Sequence, residues 1–118
     1  MLFRSLAAPF GAALKSINIP ESVRFIDSYA FYGCHNLTEI NVADGNAIYC
    51  SVDGVLYDKN KTTLICCPGG KTGVLIVPDG VTSIGESAFS GCSSLTSVAI
   101  PDGVKSIDNS AFESCHNL

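Results

Sequence analysis

Three stretches of this chain repeat one another. INIPESVRFIDSYAFYGCHNLTE begins at Ile17, LIVPDGVTSIGESAFSGCSSLTS at Leu75 and VAIPDGVKSIDNSAFESCHNL at Val98. Each has the form I/V-P-x-x-V-x-x-I-x-x-x-A-F-x-x-C-x-x-L. The same 23-residue step separates Pro78 from Pro101, Phe89 from Phe112, and Cys92 from Cys115. Pro20 and Pro78 are 58 apart, one 23-residue repeat plus a 35-residue unit. A fixed period in the twenties requires a solenoid, in which no coil buries its own apolar side chains and neighbours must stack.

The period assigns a role to each position. Leu95, Val98 and Ile100, like Leu37, Ile40 and Val42, are expected on a short strand lining the coil interior. Pro20, Pro78 and Pro101 end that strand, because proline cannot donate to a continuing ladder. Val23/Ile26, Val81/Ile84 and Val104/Ile107 then point inward from a second extended segment. Asp27, Gly85 and Asp108 come next, and aspartate is a good N-cap. A one-turn helix is expected to follow, burying Ala30/Phe31, Ala88/Phe89 and Ala111/Phe112, with Cys34, Cys92 and Cys115 closing it.

The middle of the chain departs from the period. Gly54–Tyr57 and Thr62–Cys67 read as two strands joined by DKNK, a hairpin. The next stretch, CCPGGKTG, ends like a phosphate-binding loop. Its first glycine is missing, since Ile65 stands there, and Pro78 and the β-branched run from Val74 to Val77 leave no room for the required helix. It reads as a Pro-Gly turn with Lys71 solvated.

IPDGVTSIGESAFSGCSSLTSV closely resembles the BspA-like leucine-rich repeat, a subclass with a 23-residue unit. The resemblance runs from about Ile17 to the C-terminus, and A-F-x-x-C is its specific signature. It implies a leucine-rich-repeat-like right-handed superhelix of short parallel strands with one-turn helices, interrupted by a β-hairpin variant unit. One solenoid domain then divides into a degenerate half-repeat or cap at 1–16, a repeat at 17–39, the variant repeat at 40–74, a repeat at 75–97 and an incomplete repeat at 98–118. In the first segment Leu14 falls one period before Leu37, while Ala7 and Ala8 stand where the Ala-Phe pair belongs. A signal peptide fits this segment less well, because Pro9 and Gly11 interrupt its apolar stretch. Leu118 aligns with Leu37 and Leu95, where a next strand would start, so the array is expected to be a piece of a longer one.

Composition narrows the function. A net charge of −4 with seven scattered basic residues gives no footprint for nucleic acid. No run of eighteen apolar residues is present, so no membrane-inserting segment is expected. Cys34, Cys92 and Cys115 have a packing reason and are expected to remain thiols, outside any disulfide. Cys50, Cys66 and Cys67 lack C-x₂-C spacing and a nearby histidine, so no zinc site is expected. Cys34–His35 and its copy Cys115–His116 read as a turn position, not as a nucleophile pair. No catalytic residue, metal site, cofactor or small-molecule substrate is expected.

The repeat does bring exposed side chains into rows. Arg24, Thr82 and Lys105 fall on one row, and Phe25, Ser83 and Ser106 on the next. Phe25 stands out between polar equivalents, and Arg24, Phe25, Thr82 and Lys105 are the candidate binding residues. A strand row holds Lys15, Thr38 and Thr96, then Ser16, Glu39 and Ser97. The resemblance implies a secreted or cell-surface adhesin whose partners are matrix proteins such as fibronectin and fibrinogen. The alternative is a passive spacer in a larger surface protein.

Overall fold

The structure, a computed structural model, describes residues 2–3, 14–27, 29–32 and 34–118. The expectation placed on Ala7 and Ala8 lies outside them. The strands in chain order are β1 Leu2–Phe3, β2 Ser16–Ile19, β3 Phe25–Ile26, β4 Glu39–Val42, β5 Tyr49–Val52, β6 Val55–Asp58, β7 Thr63–Cys66, β8 Gly73–Ile76, β9 Ser83–Ile84, β10 Leu95–Ala99 and β11 Ser106–Ile107. Their pairing is the sequence period made visible. In β2–β4 Ile17 lies opposite Ile40 and Ile19 opposite Val42, in β8–β10 Leu75 opposite Val98, and in β9–β11 Ile84 opposite Ile107. These pairs are parallel and join residues one period apart, as does the short pair β1–β3, with Leu2 opposite Phe25; the exception is a shift at the start of β10, where Leu95 lies opposite Gly73. The fold is therefore a solenoid of stacked coils with two strand positions per coil.

The variant unit inserts β5 and β6 between its two ladder strands. β5 pairs antiparallel with β6, and β6 with β7, while β7 joins β9 in parallel. The resulting sheet runs β11-β9-β7-β6-β5. The β6–β7 hairpin is as the sequence indicates. The preceding β5–β6 hairpin is an addition, turned by Asp53 and Gly54 with φ of 53° and 80°, the Asp-Gly geometry that matches strand twist. Gly54 has a further reason to be glycine: a Cβ there would sit 3.1 Å from the Thr38 carbonyl oxygen and from Glu39 Cα. Strand β6 is buried on both faces. Val55 and Tyr57 pack into one core with Leu64, Leu75, Ile84, Phe89 and Leu95. Leu56, pointing the other way, packs with Ile19, Ile26, Phe31, Leu37 and Ile40.

Among the described residues the expected one-turn helices are not formed. The Ala-Phe segments there are successive tight turns, and in the second full coil the reason is where the amides go. Ala88, Ser90 and Cys92 donate within the turn to Gly85, Ser87 and Phe89 carbonyls (3.2, 3.0 and 3.1 Å). The alternating amides of Ser87, Phe89 and Gly91 donate to the next coil, to Asn109, Ala111 and Glu113 (3.1, 2.7 and 2.9 Å). Those amides are unavailable to a helix, and Ser87 and Gly91 take positive φ (56° and 76°) to reach across. Asp27 still caps its turn, its Oδ1 accepting from the Tyr29 amide at 2.9 Å. Lys71, expected to be solvated, also has a protein partner. It is half-buried, and its ammonium donates to the Asp53 carbonyl, tying the Pro-Gly turn to the hairpin.

Burial follows position in the stack. Phe89 is fully buried and stacks on Phe112 with centroids 4.9 Å apart and planes 6° from parallel. Phe31 is buried and Phe112 half-buried. In the last coil Ile107 is 52% exposed where its equivalent Ile84 is 1%, because a coil with one neighbour covers one side only. Ile100, read as interior, is likewise exposed.

Asn46 closes the junction between the first full coil and the inserted hairpin. It is buried, its Nδ2 donates to the Pro20 and Val23 carbonyls (3.1 and 2.9 Å), and its Oδ1 accepts from the Ile48 and Tyr49 amides (2.9 Å each). Both donors and both lone pairs are used. Beside it the Tyr49 hydroxyl accepts from the Ile26 amide at 2.9 Å.

Replacing Phe89 by Ala is expected to cost about 3–5 kcal/mol and replacing Phe112 clearly less, read by urea denaturation; equal losses would contradict this account of the stack. Asn46→Ala is expected to cost about 3 kcal/mol, since it strands buried amides and carbonyls together. A loss within error of zero would mean that water replaces the side chain.

Candidate binding surface

The second ladder gives rise to the exposed rows. The Thr62 carbonyl accepts from the Thr82 and Ser83 amides (2.8 and 3.1 Å), and the Thr82 carbonyl from the Lys105 and Ser106 amides (2.7 and 3.4 Å). Thr82 and Lys105 are thus brought together as the repeat requires, and both are exposed. The residue next in line is Thr62, not Arg24. β7 pairs with β9 in a shorter register, Thr63 opposite Ser83, so counting by the repeat period passes over Thr62. The neighbouring row begins with the Thr63 and Ser83 hydroxyls, 3.0 Å apart.

Phe25 lies on the other side of the inserted hairpin, in the separate pair β1–β3, and Arg24 immediately precedes it. Both are exposed, Phe25 to 52%. Arg24 borders a shallow cleft with Glu21, Ala47 and Ile48, and Ile48 is itself exposed. The four candidate residues therefore form two patches divided by the variant unit. Thr62 and Ile48 belong with them and were not visible by period counting.

Asp58 positions the start of the row. Its Oδ1 accepts from the Thr62 and Thr63 amides (2.7 and 3.1 Å) and its Oδ2 from the Thr62 hydroxyl (2.5 Å). Burial pulls its carboxyl up, but these hydrogen bonds, first that from the Thr62 side chain, outweigh burial and hold it below its ordinary value. Inside the core, Tyr57 is pushed up to about 12, chiefly by burial.

None of the six cysteines is paired in a disulfide. The Cys92 thiol donates to the Cys67 and Pro68 carbonyls (3.5 and 3.6 Å) and the Cys115 thiol to Phe89 (2.9 Å), so these side chains bond coil to coil. Burial pushes up the thiols of Cys34 and Cys115, and that of Cys66 to about 12, which disfavours the thiolate a nucleophile needs. Among the described residues no three His, Cys, Asp or Glu side chains group as a metal site, and no helix is long and apolar enough to cross a membrane.

Asp58→Ala is expected to cost about 1 kcal/mol at neutral pH, the scale of a lost side-chain cap. A carboxyl with a lowered folded pKa stabilises above its unfolded value, here 3.8, and loses that contribution as pH falls through the folded value. The wild-type advantage over Asp58→Ala should therefore shrink in acid. A pH-independent difference in urea midpoints would refute the assignment.

Comparison with known proteins agrees with this geometry. A family model described as the BspA type leucine rich repeat region matches residues 10–63 and 70–118 as six copies. A leucine-rich repeat protein from Eubacterium ventriosum shares 35% identity at a TM-score of 0.80, over 86% of this chain and 27% of its own. The pneumococcal vaccine antigen PcpA shares 30% at a TM-score of 0.81, over 86% of this chain and 25% of its own. A leucine rich cell surface protein from Faecalibacterium prausnitzii shares 26% at a TM-score of 0.62, over 90% of this chain and 35% of its own. The chain thus spans about a quarter to a third of the length of these structures. Comparison with curated proteins gives no match. With the family model matching along most of its length, the chain belongs to the BspA-type leucine-rich repeat family.

Proposed function

We propose that this chain is a non-catalytic protein–protein interaction segment of a surface or secreted adhesin that binds host or matrix proteins. The supporting observation is the pair of exposed patches on the second ladder: Thr62, Thr82 and Lys105 on one side of the hairpin, Arg24 and Phe25 on the other. Side chains far apart in sequence stand in line there, which suits a broad or extended partner better than a small molecule in a pocket. Two of the similar structures are described as a vaccine antigen and a cell surface protein, which supports a surface location. On a chain of net charge −4, Arg24 and Lys105 are isolated cationic points. They favour an acidic partner surface and a salt-sensitive association rate.

Pull-down with fibronectin and fibrinogen, comparing wild type with Arg24→Glu/Lys105→Glu, tests this. Reduced capture by the double variant is expected. Unchanged capture of a protein that wild type binds would remove this face, and no capture of either would favour the passive spacer.

A further inference from the structure

The opposite, turn-bearing side of the solenoid carries a feature that the ladder rows do not use. The outer turn of the first full coil presents Tyr29 and Tyr32. The same repeat positions hold Ser87 and Ser90 in the later coil and Ser110 and Glu113 in the last. Between them the variant unit has no outer turn. Its return segment lies flat against its neighbours, with the Cys67 amide donating to Ala88 and the Gly70 amide to Leu37, each at 2.7 Å. Gly69 and Gly70 permit this: a Cβ on either would come too close to the Cys34 or Leu37 carbonyl oxygen, at 2.9 and 2.8 Å. The missing turn leaves a cleft of about 400 Å³ with the tyrosines on one lip and the serines and Glu113 on the other. Tyr32 and Ser90 also border the adjoining recess over Gly69.

We propose that this cleft binds a neutral glycan chain. The tyrosines are 49% and 60% exposed and meet edge to face, centroids 6.1 Å apart and planes at 83°. An exposed aromatic ring offers an apolar face to the C–H face of a sugar ring while its hydroxyl stays wet. The facing lip offers what the sugar's hydroxyl edge requires: the half-buried Ser90 and the exposed Ser110 both donate and accept, and the exposed Glu113 carboxylate accepts, above a floor set by the buried Ser87. Ser87 and Ser110 stand on adjacent coils, joined by the Ser87 amide donating to Asn109 at 3.1 Å. Ser90 and Glu113, the same repeat position on those coils, therefore follow one another along the stack at about 4.8 Å, a spacing that suits a chain of hydroxylated units. The cleft is bordered by one carboxylate and no cation, which disfavours phosphorylated, sulfated or acidic ligands. Rings set nearly perpendicular also form no parallel-sided slot for a proline-rich peptide.

The chain has no Trp and four Tyr, two of them buried, so its tyrosine fluorescence reports Tyr29 and Tyr32 against a fixed background. Titration of the full chain with neutral cello-, malto-, manno- and N-acetyllactosamine oligosaccharides should give a saturable change with at least one series. The series that binds separates plant or microbial polysaccharide from animal-type glycan. Tyr32→Ala should weaken binding about tenfold or more, Tyr32→Phe should retain most of it, and Glu113→Gln should weaken it from the other lip. Both side chains are exposed, so the urea midpoint should not move. Arg24→Glu/Lys105→Glu should bind glycan like wild type, which keeps this site separate from the protein-binding face. No binding by any neutral series at millimolar concentration would overturn the proposal. So would binding that survives Tyr32→Ala, or a response only to a proline-rich decapeptide.

Discussion

Strand β6 holds the two halves of this molecule together. Val55, Leu56 and Tyr57 are consecutive and all buried to within 1%, which a strand achieves only when both its faces are covered. Alternation sends Val55 and Tyr57 into one core and Leu56 into the other. Each such side chain contributes about 1.5–3 kcal/mol, and here the contributions belong to different clusters. An ordinary coil interacts with its neighbours through equivalent positions. The inserted hairpin replaces that contact with a strand that belongs to both sides.

The backbone bonding beyond β6 follows one rule. Among the described residues part of the amide set is spent within a coil and part across to its neighbour. The turn segments show this most clearly, with Ser87, Phe89 and Gly91 reaching outward and Ala88, Ser90 and Cys92 inward. Where the hairpin interrupts the regular stack, side chains supply the partners. Asn46 meets the Pro20 and Val23 carbonyls, the Tyr49 hydroxyl the Ile26 amide, and the Ser51 hydroxyl the Val42 amide at 2.9 Å. At these three places a side chain pairs backbone groups that the repeat does not.

This division also explains what was legible in the sequence. The period made readable which strand residues lie opposite one another, that Phe31 and Phe89 are buried, and where the strands stop, but it also placed Ile100 inside and Arg24 in line with Thr82. The helices were misread because Ala-Phe spacing is local, whereas amides spent across coils are not a local property. Thr62 was missed because β7 meets β9 in a register shorter than the period, with Thr63 rather than an earlier residue opposite Ser83. β5 was missed because Tyr49–Val52 is polar in the middle, and its burial comes from β6 and Asn46. Tyr29 and Tyr32 did leave a signal. They are aromatic where the other repeats carry serine or glutamate, the same kind of contrast that marked Phe25.

The whole-period register of β2–β4, β8–β10 and β9–β11 has a consequence at the level of the gene. Duplicating or deleting one complete repeat unit beyond β8 returns every strand to an equivalent partner and every turn amide to an equivalent carbonyl. Recombination can therefore lengthen or shorten that arm without disturbing β6. Within 40–74 the same event has no equivalent to land on, because the shortened β7–β9 register and the Asn46 junction occur there and are not repeated in the regular units. Unequal crossing-over should thus leave families of arrays that vary in the number of regular units and share an unaltered hairpin segment.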